Sequence, residues 1–196
     1  MLRQAQHERD WDWSKPGRPL SLSLSKATRL RCILALVLIL SAGAARAEAR
    51  LQLPEVDYIR VEKAARAMTL YAGGQPVHTI RGIQLGDAPE GHKRFQGDER
   101  TPEGRYAIDY GNPNSSYHLS LHISYPNARD KAYARGQGRS PGGLIFIHGQ
   151  PNAWVGGENG ARVPGDWTDG CIAVSNEEIE ALWQAVPDGT VIDILP

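Results

Sequence analysis

The chain has 196 residues, a length that suits one domain with little left over for a second. A hydrophobic content of 41% and a charged content of 22% fit a globular protein, and 21 Gly with 13 Pro point to many turns and hence to β structure. Formal net charge is zero, but residues 1–47 carry 8 of the 22 basic and 3 of the 22 acidic residues, so the remainder is mildly acidic and ill suited to general nucleic-acid binding.

The basic excess belongs to the N-terminus. Arg29 and Arg31 precede the apolar run Cys32 to Leu40, and Ala45-Arg46-Ala47 follows a stretch of small residues. That is the layout of a secretory signal peptide with a long basic n-region, and the apolar core is short for a membrane span. Cleavage is expected after Ala47, with export to the periplasm or cell envelope; an uncleaved N-terminal anchor is the competing reading. Arg31 before Cys32 does not suit a lipoprotein site. Residues 48–55 read as a linker, and 56–196 as the domain.

Val56 to Glu62 alternates apolar and polar residues, the period of a half-buried strand. Ala67 to Tyr71 is a second strand, 72–75 a glycine turn, and Pro76 to Ile83 completes a hairpin. Residues 86–104 form a long polar connection, the kind of segment that often carries function. Gly104 to Tyr110 is a strand, 111–114 a turn, and Tyr117 to Ser124 a strand with Leu119, Leu121 and Ile123 on one face. His118 and His122 share the other face, where the strand offers no Cys, Asp or Glu to complete a metal site. Residues 125–141 read as another polar loop, and Leu144 to His148 as a buried strand. Ser175 or Asn176 caps a helix whose Ile179, Leu182, Trp183 and Val186 fall at helical spacing. Pro187-Asp188-Gly189 ends it, and Thr190 to Leu195 is the last strand. The chain is therefore expected to be mainly β, with one helix after the cysteine.

Removal of the signal leaves Cys171 as the single thiol, unable to form an internal disulfide. His148 ends the strand before it, and a Cys with a His in reach is the basic equipment of a thiol nucleophile. The thiol stands after a Gly-containing turn and a few residues ahead of the helix, where free backbone N–H groups are expected to lower its pKa. Gly170 and Cys171 amides can face a developing oxyanion. An inert buried cysteine is the competing reading.

The segment Ile147-His148-Gly149 … Trp167-Thr168-Asp169-Gly170-Cys171-Ile172-Ala173 resembles the L,D-transpeptidase catalytic domain family (YkuD-like), and Thr101-Pro102-Glu103-Gly104 resembles that family's turn before a strand. The resemblance implies a β-sandwich-like catalytic fold, with Cys171 as nucleophile and His148 as the group that activates it. It implies that the Gly149 carbonyl orients the imidazole, that Gly170 and Cys171 amides hold the oxyanion, and that Thr168 takes the place of the family's Ser/Thr before the Cys. Trp167 and Asp169, with Asp166, are candidates for a substrate rim beside Thr168, and a plain turn residue is the competing reading of Asp169. The implied partners are peptidoglycan stem peptides, with a neighbouring stem or an envelope lipoprotein as acceptor. No cofactor, metal or nucleic acid is implied, and a monomer is expected. Asp169 stands where the family usually has a second His, and Ala173 where Arg or Asn is usual. The 23 residues from His148 to Cys171 are slightly more than is typical. A hydrolase on the same site, either a carboxypeptidase or a lipoprotein-releasing amidase, is the first alternative. A non-catalytic wall-binding protein is the second.

Overall fold

The computed structural model describes residues 51–154, 156 and 160–196. The expected signal peptide, 1–47, lies outside the described residues, as does the start of the expected linker. Among the described residues, no helix is long and apolar enough to cross a membrane.

Strands β1 (Tyr58–Glu62), β2 (Ala67–Ala72) and β3 (Gln75–Arg81) form an antiparallel meander. In β1 the alternation puts Ile59 and Val61 fully in the core. Gly73 and Gly74 both take positive φ in the tight turn between β2 and β3, a conformation that costs glycine little. β4 (Gly104–Ser115) bends the sheet. Gly104–Ala107 pair antiparallel with β8 (Val191–Leu195), and the remainder pairs with β5 (His118–Ile123) across two register shifts. β6 (Ile145–His148) pairs antiparallel with β5 and parallel with β7 (Ile172–Ala173). The order β3-β2-β1-β8-β4-β5-β6-β7 gives one curled eight-stranded sheet. One apolar cluster, including Met68, Leu70, Ile108, Ile147, Ile172 and Leu182, fills it.

Three expectations change. Residues 111–114 are not a turn: β4 continues to Ser115, and its second register shift accommodates Pro113, which lacks an N–H for the ladder. Gly111 serves packing, since a Cβ there would lie 2.5 Å from the Trp183 ring. The loop expected over 125–141 contains a helix, α1 (Ala128–Gly136). It lacks an apolar stripe and is held by polar groups: Asn127 and Asp130 form a capping box, and Asp130 accepts from Tyr106 Oη at 3.1 Å. Finally, Leu144 lies outside β6. It is 71% exposed with φ 56, and its carbonyl turns toward Cys171.

The helix α2 (Asn176–Ala185) follows the sequence reading closely. Ser175 caps it in a box with Glu178, Ile179 and Leu182 are fully buried, and the helix packs on β5 and β6.

Candidate active site

β6 and β7 are parallel neighbours, with His148 opposite Ala173. That register brings His148, the last residue of β6, and Cys171, one residue before β7, into the wall of the same cleft of about 870 Å³. The long connection between them is tied down by buried amides. Gln150 donates to the Gln84 side chain at 3.1 Å and to the Val174 carbonyl at 2.6 Å, and its own oxygen accepts from Val163 N–H at 2.8 Å. Gln84 in turn donates to the carbonyls of Val163 and Gly165. Asp166 accepts from Leu85 N–H at 2.8 Å and pairs with Arg66. The loop thus returns to the sheet at a fixed place before it reaches the cysteine.

The imidazole of His148 is held on three sides. Its Nδ1 is 2.7 Å from the Gly149 carbonyl, and a carbonyl can only accept, so the proton resides on Nδ1 and Nε2 carries the free lone pair. Tyr117 stacks on the ring at 4.5 Å, and Trp167 meets it edge-on at 5.6 Å. Burial pulls the His148 pKa down to about 4, against the smaller opposing effect of the Gly149 hydrogen bond. A Cβ at Gly149 would lie 2.7 Å from Asn176 Oδ1 and 3.0 Å from the Tyr117 carbonyl, so a side chain there would push the Asn176 amide away from the Gln150 N–H it accepts from.

Cys171 departs from the expectation of a lowered pKa. Although part of the residue is open to the cleft, burial pushes its thiol up to about 11. One backbone N–H, that of Phe146, donates to Sγ at 3.4 Å and favours the thiolate, but it does not outweigh desolvation. The helix does not help, because β7 intervenes between Cys171 and the N-cap at Ser175. The S–H donates toward the Leu144 carbonyl at 3.6 Å. Among the described residues no hydrogen bond joins Cys171 to His148, so the resting pair is neutral and unengaged, a looseness common before substrate binds.

The turn before the cysteine is rigid. Thr168 Oγ1 donates to the Cys171 carbonyl at 2.7 Å and accepts from Gly170 N–H at 3.2 Å. Gly170 has φ 125, and a Cβ would lie 2.5 Å from the Arg100 carbonyl. The Gly170 amide is therefore already engaged, whereas nothing among the described residues accepts from the Cys171 amide. Trp167, Thr168 and Asp169 all line the cleft, and Asp169 is exposed there. Ala173 is fully buried and pairs with Gln84 through both backbone groups, so it does not line the cleft. His118 and His122, on the same strand, pair with Glu180 and Asp109.

Sequence reasoning did not find Lys93, Tyr117 or Leu144. Lys93 is 3% exposed, and its ammonium bonds Asp98 at 2.9 Å and the Asp169 carbonyl at 3.3 Å, bracing the cysteine turn from the 86–104 connection. No local pattern marks it, since its partner lies 76 residues on. Tyr117 comes from the β4–β5 bend, which the sequence placed too early.

A family model for the L,D-transpeptidase catalytic domain (YkuD) matches residues 56–194. The "Putative L,D-transpeptidase YafK" of Escherichia coli (strain K12) is 27% identical over 139 residues, 68% of this chain and 48% of that protein. The chain spans about half the length of the curated relatives it matches. Among solved structures, the helical cell shape determining protein Pgp2 from Campylobacter jejuni is similar with a TM-score of 0.54 at 28% identity, over 76% of this chain and 51% of that one. Bdellovibrio bacteriovorus Bd1075 gives a TM-score of 0.50 at 25% identity, over 72% and 48%. The match runs through the curled sheet and through both walls of the cleft that hold His148 and Cys171, and the chain belongs to the L,D-transpeptidase catalytic domain family.

Proposed function

We propose that the protein is a peptidoglycan L,D-transpeptidase of the cell envelope that works through a Cys171 thioester. The observation that carries this reading is the arrangement at His148: Nδ1–H is committed to the Gly149 carbonyl, which leaves Nε2 as the base in a cleft shared with the thiol. Substrate entry excludes water and brings the thiol to Nε2. The imidazole takes the S–H proton as sulfur attacks the carbonyl of the third stem residue. The Cys171 amide, and the Gly170 amide once it shares its Thr168 contact, stabilise the oxyanion. Collapse of the tetrahedral adduct breaks the amide bond, and the imidazolium returns its proton to the departing D-Ala amine. An acceptor amine, from a neighbouring stem or a lipoprotein lysine, then displaces the sulfur and restores the thiol. Trp167, Thr168 and Asp169 form the rim that meets the stem. Similarity to Pgp2, which is described as a cell shape determining protein, supports a role at the wall. So does the signal-like N-terminus.

The test is incubation with purified tetrapeptide muropeptides, followed by chromatography. Cross-linked dimers that vanish in Cys171→Ala support transfer. Shortened monomers in place of dimers assign the acceptor to water and make the enzyme a carboxypeptidase. No product from a folded, soluble protein contradicts both.

A further inference from the structure

One face of this acidic domain is strongly basic. Asn127 to Ser140 contains Arg129, Lys131, Arg135 and Arg139 against a single acid, Asp130. Asp130 does not neutralise them. It is buried and spends its oxygens on Tyr106, His92 and the Asn127 amide. In α1, Asp130 and Ala134 face inward, while Arg129, Lys131 and Arg135 are exposed. Arg94 comes from the 86–104 connection to lie over Tyr133 at 4.5 Å, and Arg139 lies over Phe95 at 3.8 Å. The two rings are 5.9 Å apart, so the aromatic pair seats both guanidinium groups.

Two observations separate this face from ordinary solvated charge. Elsewhere six of the eight described Lys and Arg side chains (Arg60, Lys63, Arg66, Lys93, Arg105 and Arg162, but not Arg81 or Arg100) have a carboxylate within 4 Å, whereas among the described residues none of these five clustered cations has one. In addition, Arg129 and Lys131 occupy the first turn of α1, where the helix dipole disfavours positive charge, so helix stability does not ask for them.

The face is continuous with the cleft. Gln96 N–H donates to the Ser140 carbonyl at 2.9 Å, and Gln96, Ser140 and Gly142 line the cleft. The neighbours of these residues in sequence, Phe95 with Arg94 and Arg139, begin the basic face. We infer that the face formed by α1, Arg94 and Arg139 is a docking surface for the carboxylate-rich wall polymer, gripping stems adjacent to the one held in the cleft. Planar guanidinium groups match carboxylates in two-point contacts, and free carboxylates recur along a polymer of stem peptides. A membrane is the poorer fit, because α1 has no apolar stripe to enter it. The identity of the polymer rests on the proposed function, while the face itself does not.

The experiment measures sedimentation with purified sacculi, using Cys171→Ala protein with and without Arg129→Glu, Lys131→Glu and Arg135→Glu. The same triple change in active protein is assayed on soluble tetrapeptide muropeptide. Sacculus affinity is expected to fall about tenfold or more on charge reversal, and wild-type binding to weaken as salt rises from about 50 to about 300 mM. Sacculi whose carboxylates are amidated should lose binding similarly. Soluble turnover should stay within about twofold, which also shows that the variant is folded. A triple Gln variant, which keeps helix propensity, should fall between the two. Unchanged sacculus affinity in the Glu variant, undiminished binding to amidated sacculi, or a preference for phosphatidylglycerol vesicles over sacculi would overturn the inference. Absent turnover of the soluble muropeptide by wild type, with charge-dependent sacculus binding intact, would instead sink the proposed reaction and leave the docking face standing.

Discussion

Acid should destabilise this protein through His148. The ring is 2% exposed beneath Tyr117 and Trp167, and burial holds its pKa near 4 rather than 6.5. In the unfolded chain the same imidazole takes a proton near 6.5, so between those values the unfolded state binds more protons. The contribution is therefore complete above pH ~6.5 and is lost as pH falls from there to about 4, to a total of about 3 kcal/mol, most of it gone by pH ~4.5. Urea unfolding of wild type and His148→Gln at pH ~7.5 and ~4.5 measures it. Asp98 and Asp193, held low, and His92, pulled down by burial, add acid dependence to both proteins, so the difference between the two is the readout. Wild type should lose roughly 2–3 kcal/mol more than the Gln variant over that range. Parallel losses would refute a buried, neutral imidazole.

Three further outcomes follow from the site. Alkylation of Cys171 by iodoacetamide in the absence of substrate should rise with pH toward about 11, with no plateau at neutral pH. A plateau near pH ~7 would show a preformed thiolate–imidazolium pair instead. Gly170→Ala puts a Cβ 2.5 Å from the Arg100 carbonyl at φ 125, and should cost about 2–4 kcal/mol in urea melts together with activity. Thr168→Ala removes the bonds to the Cys171 carbonyl and the Gly170 amide; it should lose about 1–2 kcal/mol of stability, and Thr168→Ser should restore most of it.

Where the sequence was legible, the reason was periodicity or capping. β1 alternates, α2 carries Ile179 and Leu182 at helical spacing behind a Ser175–Glu178 box, and both are found as read. α1 was missed because its stabilising contacts are polar and distant: Asp130 satisfies Tyr106 and His92, which lie in other elements. The 111–114 turn signal misled because Gly111 makes room for Trp183, and Pro113 occupies an irregular stretch of strand. At the site, His148 and Cys171 were readable as residue types, but their surroundings were not. The thiol pKa depends on desolvation by neighbours far along the chain, and the Tyr117 stack depends on where β4 turns into β5. Lys93 reaches the cysteine turn only through the fold.

The proposed reaction stands on a thioester between Cys171 and a stem peptide. Its most direct measurement is intact-protein mass spectrometry after rapid acid quench of a mixture with tetrapeptide muropeptide. The expected result is a mass gain equal to the substrate less D-Ala, located on Cys171 by peptide mapping and absent from Cys171→Ala. His148→Gln, with its thiol intact, is expected to form the adduct far more slowly. Turnover of the muropeptide by Cys171→Ala at the wild-type rate would contradict the thioester.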